Sequence, residues 1–229
     1  KNTTYLTAMT SSGYNLGGKY NPVTEKMELK ISTGEKYTIV ENKKEFSDIK
    51  NKSREMQEAV NYLAAKGIVA GTSENQFSPD NNINRAEIAA LIIKSIAKYD
   101  PNANGNFSDV TTADWFFGVA GSSRRHGIIS GFEDNTFRGR STILKSQIVS
   151  VISRTLKTEM GYKNPSDIEH YLQIYNDRDQ IPDWARQSVS LATRENIVIR
   201  NSNGMFYPNG EITRGEAAIM IKRMFDKLW

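Results

Sequence analysis

Arg85, Lys145 and Arg214 stand at the same place in three internally similar segments, each one step inside the start of a predicted helix. A helix N-terminus already carries partial positive charge and unpaired backbone N–H groups, so a further cation there opposes local stability unless an anion comes to bind. The chemistry this spacing predicts is anion recognition. An Arg fork can hold a carboxylate through two parallel hydrogen bonds, whereas a Lys keeps the charge and loses the fork.

The elements around these cations repeat. Ile83-Asn84-Arg85-Ala86-Glu87, Ile143-Leu144-Lys145-Ser146-Gln147 and Ile212-Thr213-Arg214-Gly215-Glu216 align, each sixteen residues after the start of a short apolar segment at Gly67, Gly127 or Asn196. Phe77, Phe137 and Phe206 lie between at equal offset, and Phe46-Ser47-Asp48, Phe107-Ser108-Asp109 and Tyr175-Asn176-Asp177 lie upstream. A period of roughly 60 residues marks a supersecondary unit that buries its apolar face against its own copies.

Each copy reads as helix, loop, helix. Met56, Ala59, Val60, Leu63 and Ala64 recur at helical spacing, and Gly67 is placed to end that helix in a left-handed conformation. The loop that follows carries Phe77, expected to plug into the core. Asn84 with Glu87, and Thr213 with Glu216, form capping-box patterns; Leu144 cannot cap as they do. The first 45 residues differ: Lys19–Asn21, residues 27–31 and residues 36–40 read as strands, with turns at Pro22-Val23-Thr24 and Thr33-Gly34. Residues 158–174 read as an insertion with a short helix of its own.

Composition sets bounds. The 229 residues suffice for a sizeable core, and 38% hydrophobic with 24% charged content is ordinary for a globular protein. No run approaches a membrane span, and no signal or lipidation motif is visible. The absence of cysteine excludes disulfides and thiolate metal sites, and the net charge of +4 favours anionic partners. A start at Lys1 without an initiator methionine is the expectation for a mature or excised piece.

The ordered landmarks, including Asp114-Trp115, Asp183-Trp184, Gly127-Ile128-Ile129-Ser130-Gly131, the Phe-x-Pro loop and Ile212-Thr213-Arg214-Gly215-Glu216, resemble three tandem S-layer homology repeats over about four fifths of the chain. The resemblance implies a mainly α fold, with three helix-loop-helix repeats in a pseudo-threefold assembly around a central helical bundle. A small N-terminal β element precedes them. The division is residues 1–45 for the β element or an upstream remnant, 46–106 for the first repeat, 107–174 for the second with its insertion, and 175–229 for the third. The family anchors surface-layer proteins and exported enzymes to secondary cell-wall polysaccharide, commonly through a pyruvylated sugar held in grooves between repeats. That implies an extracellular, non-catalytic module at the cell surface, needing no cofactor or metal. The resemblance also allows assembly with other surface-layer proteins.

A pyruvyl ketal presents a carboxylate, which suits Arg85 and Arg214 most and Lys145 less. Trp115 and Trp184 can cover a sugar face or simply pack at a helix start. Asp48, Asp109 and Asp177 can accept sugar hydroxyls but read first as turn or cap residues, and Glu87 and Glu216 read first as caps. The first copy has Glu55 where the others have Trp, and the third has Asn196 and Arg200 in place of two glycines.

Other classes remain open. Paired carboxylates are numerous, but no motif marks any as catalytic, and neither His126 nor His170 has a metalloprotease context. His126, after Arg124-Arg125, reads as a cation at a helix end. Asp100, Asn102 and Asn104 open like a calcium loop whose twelfth position is Thr111, which reads as a polar linker. A basic cluster of Arg124, Arg125, Arg138, Arg140 and Lys145 is the only pointer to nucleic acid, without a reading motif. A protein-interaction or self-assembly module with degenerate glycan sites is the remaining alternative.

Overall fold

The computed structural model describes residues 3–30, 34 and 36–229. Seven α-helices occur among them: α1 Arg54–Ala65, α2 Arg85–Ser95, α3 Phe117–Arg125, α4 Lys145–Met160, α5 Ile168–Leu172, α6 Asp183–Arg194 and α7 Arg214–Lys227. The fold is mainly helical with a small N-terminal β region. The expected short helix of the insertion is α5, and α4 runs on to end at Gly161 with φ +68°.

Five strands form that β region: β1 Leu6–Thr10, β2 Asn15–Gly17, β3 Lys19–Asn21, β4 Lys26–Glu28 and β5 Tyr37–Glu41. β1 is the centre of an antiparallel sheet ordered β2-β1-β5, with Leu6 opposite Glu41 and Thr10 opposite Tyr37. β3 and β4 make a separate hairpin around the anticipated Pro22-Val23-Thr24 turn. The sequence does not predict β1 and β2, because their Thr and Asn content hides the alternation; Thr7, Ala8 and Thr10 are nonetheless buried. The expected strand over residues 27–31 is only partly matched by β4. Ile31 and Thr33 lie outside the described residues.

The sheet is tied to the helices by side chains that satisfy the open end of α1. A helix leaves its last carbonyls without intrahelical donors. Here Asn15 Nδ2 and Asn42 Nδ2 both donate to the Ala65 carbonyl, at 3.0 and 2.9 Å, and Lys66 Nζ donates back to the Leu6 carbonyl. Gly67 then takes φ +70°, and the Ile68 N–H returns to the Leu63 carbonyl at 2.9 Å, as expected for a left-handed stop. Asn196 adopts the same conformation, φ +56°, in the third copy; Asn is one of the few non-glycine residues that tolerates it.

The first helix of each repeat packs mainly on the second helix of another repeat. α1 lies on α7, α3 on α2, and α6 on α4, while α2, α4 and α7 also touch one another. This arrangement follows from burial: α2 presents Ala86, Ile88, Ala89, Ile92 and Ile93 to the interior, and α7 presents Ala217, Ala218, Met220, Ile221 and Met224. The hydrophobic core is a single cluster that spans all three repeats. Phe77, Phe137 and Phe206 are each 1% exposed or less, so the loop phenylalanines do plug the core.

Candidate functional site

The loops between helices are held by carboxylates. Asp48 accepts from the N–H groups of Phe77 and Ser78, Asp109 from Phe137 and Arg138, and Asp177 from Phe206 and Tyr207, all at 2.7–3.1 Å. Ser78, Arg138 and Tyr207 all have φ of +57° or +58°, a left-handed corner that the paired hydrogen bonds stabilise. The structure thus gives the three aspartates the turn role read from the sequence.

Both expected capping boxes form. Asn84 Oδ1 accepts from Glu87 N–H and Glu87 Oε2 from Asn84 N–H, both at 2.9 Å, and Thr213 with Glu216 repeats this. In the second copy only the reverse half survives: Gln147 Oε1 accepts from the Leu144 N–H at 3.2 Å.

The expectation of free N–H groups beside the cations is overturned. The first two N–H groups of each helix donate to carbonyls of another repeat's loop: Arg85 and Ala86 to Ser141 and Gly139, Lys145 and Ser146 to Gly210 and Pro208, Arg214 and Gly215 to Asn81 and Pro79. With the third N–H taken by the cap or the Leu144 carbonyl, backbone amides offer no open anion cradle. Anion recognition then falls to the side chains.

Those side chains cross between repeats in one order. Arg214, from the third repeat, enters the first: Nε donates to the Phe77 carbonyl at 3.0 Å, Nη2 to the Ala70 carbonyl at 2.9 Å, and Nη1 meets Glu87 Oε1 at 2.6 Å. Its guanidinium lies 4.8 Å from the Phe77 ring centroid. A cavity of about 260 Å³ opens here, walled by the Ile68-to-Thr72 segment, Glu87, Lys94, Arg214 and Trp115, so all three repeats contribute.

Arg85, from the first repeat, enters the second, 4.8 Å from the Phe132 centroid and 5.7 Å from that of Phe137. Among the described residues it has no ion-pair partner, and its buried Nε has no hydrogen-bond acceptor. Burial, then neighbouring Arg154 and Arg138, push its pKa below the usual guanidinium value. Lys145, from the second repeat, enters the third, where its Nζ is 5.2 Å from the Phe206 centroid. Burial lowers its pKa against the opposing pull of Glu216 and Asp177.

Trp115 and Trp184 are each 59% exposed, far too open for core packing. Trp184 is inside α6, whereas Trp115 sits in the turn before α3, because Asp114 accepts from the Thr111 N–H at 2.8 Å and holds a turn there. Glu55, in the corresponding place of the first repeat, ion-pairs with Arg223 at 2.7 Å. That pair lines an open depression of about 650 Å³ beside Asn196 and Arg200.

Sequence reading missed a second cation on each of these helices. Lys94, Arg154 and Arg223 all stand nine residues after the helix-start cation, an equal offset that the repeat alignment contained. Lys94 lines the Arg214 cavity, Arg154 Nη1 donates to the Ile128 carbonyl at 2.9 Å, and Arg223 Nη1 to that of Val198 at 2.9 Å.

The remaining candidates have ordinary partners. Asp100 pairs with Arg125 at 2.8 Å and accepts from the Asn102 N–H, as a linker turn does. Arg138 pairs with Asp134 and Arg140 with Asp114, which breaks up the basic cluster. The cationic reading of His126 is corrected: burial, Lys98 and Arg125 lower its pKa and favour the neutral ring. Among the described residues no helix is long and apolar enough to cross a membrane.

These features define a helical repeat module whose copies exchange helix-start cations across their junctions. The S-layer homology domain model matches residues 45–89, 106–148 and 174–218, together more than half of the chain. The chain belongs to the S-layer homology family. It is similar to an amylopullulanase of Thermoanaerobacterium thermosulfurigenes, 28% identical across 97% of this chain and 12% of that protein. It is also similar to exoglucanase XynX of Acetivibrio thermocellus, 29% identical across 86% of this chain and 18% of the relative. A surface-layer 125 kDa protein of Lysinibacillus sphaericus is 22% identical across 80% of this chain and 15% of its own. The chain therefore spans less than a fifth of each of these relatives.

Proposed function

We propose that the chain is a non-catalytic anchoring module that binds anionic secondary cell-wall polysaccharide, carrying pyruvyl ketal carboxylates, in grooves between its repeats. The family and its surface-layer relatives put it outside the cell, at the cell wall. A cellulosome-anchoring protein of Acetivibrio thermocellus, 22% identical across 66% of this chain and 34% of its own, supports an anchoring role. The observation that carries the glycan reading is the cavity where Arg214, Lys94 and the exposed Trp115 converge from three repeats. An aromatic face, fixed cations and hydrogen-bonding groups in one concave site are what a charged sugar needs.

On this reading the repeats 46–106, 107–174 and 175–229 form a pseudo-threefold assembly around α2, α4 and α7, with the strands β1–β5 docked on its side. Arg85, Arg214 and Lys145 provide the cations and Trp115 and Trp184 the sugar platforms. Asp48, Asp109, Asp177, Glu87 and Glu216 serve by positioning the loops and helix starts. Catalysis in enzyme relatives belongs, on this reading, to segments outside the matched region.

Pull-down with purified cell-wall sacculi tests the proposal. Binding should be lost when the polysaccharide is chemically stripped, and Arg85→Ala and Arg214→Ala should weaken it more than Lys145→Ala. Undiminished retention on stripped sacculi would sink the glycan reading and favour a protein-interaction module.

A further inference from the structure

The β region and the helices enclose a concavity that shares no residue with the Arg214 cavity. A cleft of about 490 Å³ is walled by Tyr5 and Tyr20 of the β region, Glu58 and Tyr62 of α1, and Lys222 and Asp226 of α7, with Lys19 at its edge. The β region sets its shape. Gly17 and Gly18 take φ of +71° and +98° to turn the chain from β2 into β3, and a Cβ on Gly18 would collide with the Leu29 side chain. That turn brings Lys19 to 4.0 Å from Asp226. On the other wall the Asn42 N–H donates to the Tyr5 carbonyl at 3.0 Å. The helical repeats without the β region would lack the Tyr5 and Tyr20 walls.

The charges of the cleft are already matched. Lys222 donates to Asp226 at 2.6 Å and covers the Tyr62 ring at 4.4 Å, Lys19 approaches the same carboxylate, and Glu58 pairs with Arg54 at 2.7 Å. Two ammonium groups and two carboxylates line the site, so an ionic ligand finds no unmatched partner there.

Hydrogen-bonding capacity is left over. Elsewhere along this junction polar side chains close on the helices: Asn15 and Asn42 on the Ala65 carbonyl, and Lys30 on the Leu228 carbonyl at 3.2 Å. In the cleft the hydroxyls of Tyr5, Tyr20 and Tyr62 have no hydrogen-bond partner among the described residues. Tyr5 and Tyr20 are half-buried and pair with no other ring or stacked cation among those residues. Aromatic faces, phenol hydroxyls and balanced charge, in a volume within the range of about 300–1,000 Å³ typical of small-molecule sites, suit a neutral ring rich in hydroxyls.

We infer that this cleft is a binding site for a neutral pyranose, created by the docking of the β region on α1 and α7 and separate from the grooves between repeats. Tyr5 and Tyr20 supply ring faces and hydroxyls. Tyr62 presents its hydroxyl, since Lys222 occupies its ring, and Asp226 keeps lone pairs to accept from the sugar. The site stands whether or not the grooves between repeats hold a charged polysaccharide.

Amide NMR of the whole chain tests this, with titrations of cellotriose, the N-acetylglucosamine trimer and a glucuronic acid trimer. At least one neutral trimer should shift the Lys19, Tyr20 and Lys222 amides with a dissociation constant below about 5 mM. Which of the two binds distinguishes a plain hexose from an acetylated amino sugar. Tyr20→Ala should weaken that binding about tenfold, and Tyr20→Phe about threefold, because the ring stays and one hydroxyl goes. Tyr20→Phe keeps the packing of the hairpin, so its smaller loss is read on an intact fold. Arg85→Ala should leave these shifts unchanged, although it weakens sacculus binding on the reading above. No shift at these amides with either neutral trimer up to about 20 mM, or tighter binding of the acidic trimer, overturns the site. Loss of the shifts in Arg85→Ala overturns its separateness from the grooves. Intact shifts in a chain that stays on stripped sacculi would sink the groove reading alone.

Discussion

Arg214 and Glu87, 127 residues apart in the chain, meet at 2.6 Å and join the start of α7 to the start of α2. Glu87 uses its other oxygen to cap its own helix, so one side chain ends a helix locally and links two repeats. Arg214→Ala would leave Glu87 and two loop carbonyls without their donor. We expect a loss of about 2–3 kcal/mol, against about 1 kcal/mol for Glu87→Gln, which keeps the cap. Urea denaturation of both single variants and the double variant should give a coupling near 1 kcal/mol. Simple additivity would contradict the link.

The aspartate clamps should differ in cost because they differ in burial. Asp177 is 4% exposed and Asp109 is exposed, yet each holds two loop N–H groups. Asp177→Ala is expected to cost about 3 kcal/mol and Asp109→Ala about 1 kcal/mol, since water can replace only the exposed carboxylate. Thermal unfolding of the two variants checks the order.

Completing the missing cap should stabilise the second repeat. Leu144 is half-buried and has no acceptor, while Gln147 already reaches back to its N–H. Leu144→Thr is expected to add about 0.5–1 kcal/mol, read from the denaturation midpoint at unchanged slope.

Trp115 is exposed and should matter little to folding. Trp115→Ala is expected to change stability by less than about 1 kcal/mol while lowering affinity for wall polysaccharide about tenfold. Denaturation and sacculus binding, measured on the same preparation, separate the two effects.

Lys66 makes stability depend on pH. It is 2% exposed, packed over Tyr62 and beside Lys222, and burial pulls its pKa from 10.5 to about 8. Between these values the unfolded chain holds a proton that the folded chain has released, so stability rises with pH. The rise should amount to about 2 kcal/mol from pH 8 to pH 10. Above pH 10 the raised pKa of buried Tyr62 acts in the opposite sense, because the unfolded tyrosine ionises first. Lys66→Met should flatten the profile between pH 8 and 10, measured by urea titration at each pH.

Much of this molecule is legible in its local pattern. The equal offsets of Phe77, Phe137 and Phe206, the stop at Gly67, and the caps at Asn84 and Thr213 each depend on residues close in sequence, so spacing alone predicts them. β1 and β2 escaped, because short polar strands carry no alternation to read. The matching cations Lys94, Arg154 and Arg223 were in the alignment but fall in helix interiors, where a charge usually means only a solvated face.

The sequence by itself determined the three repeats, their helix-loop-helix content and the cations that open the second helices. Tertiary structure decided which repeat each cation serves. α1 packs on α7, α3 on α2 and α6 on α4, so Arg214 reaches Phe77 across 137 residues and Arg85 reaches Phe132 in the next repeat. No local period encodes that exchange, since it arises from burying each helix against a different copy. The same packing spends the helix-start N–H groups on neighbouring loops and leaves Arg85 and Lys145, unlike Arg214, without an ion-pair partner among the described residues.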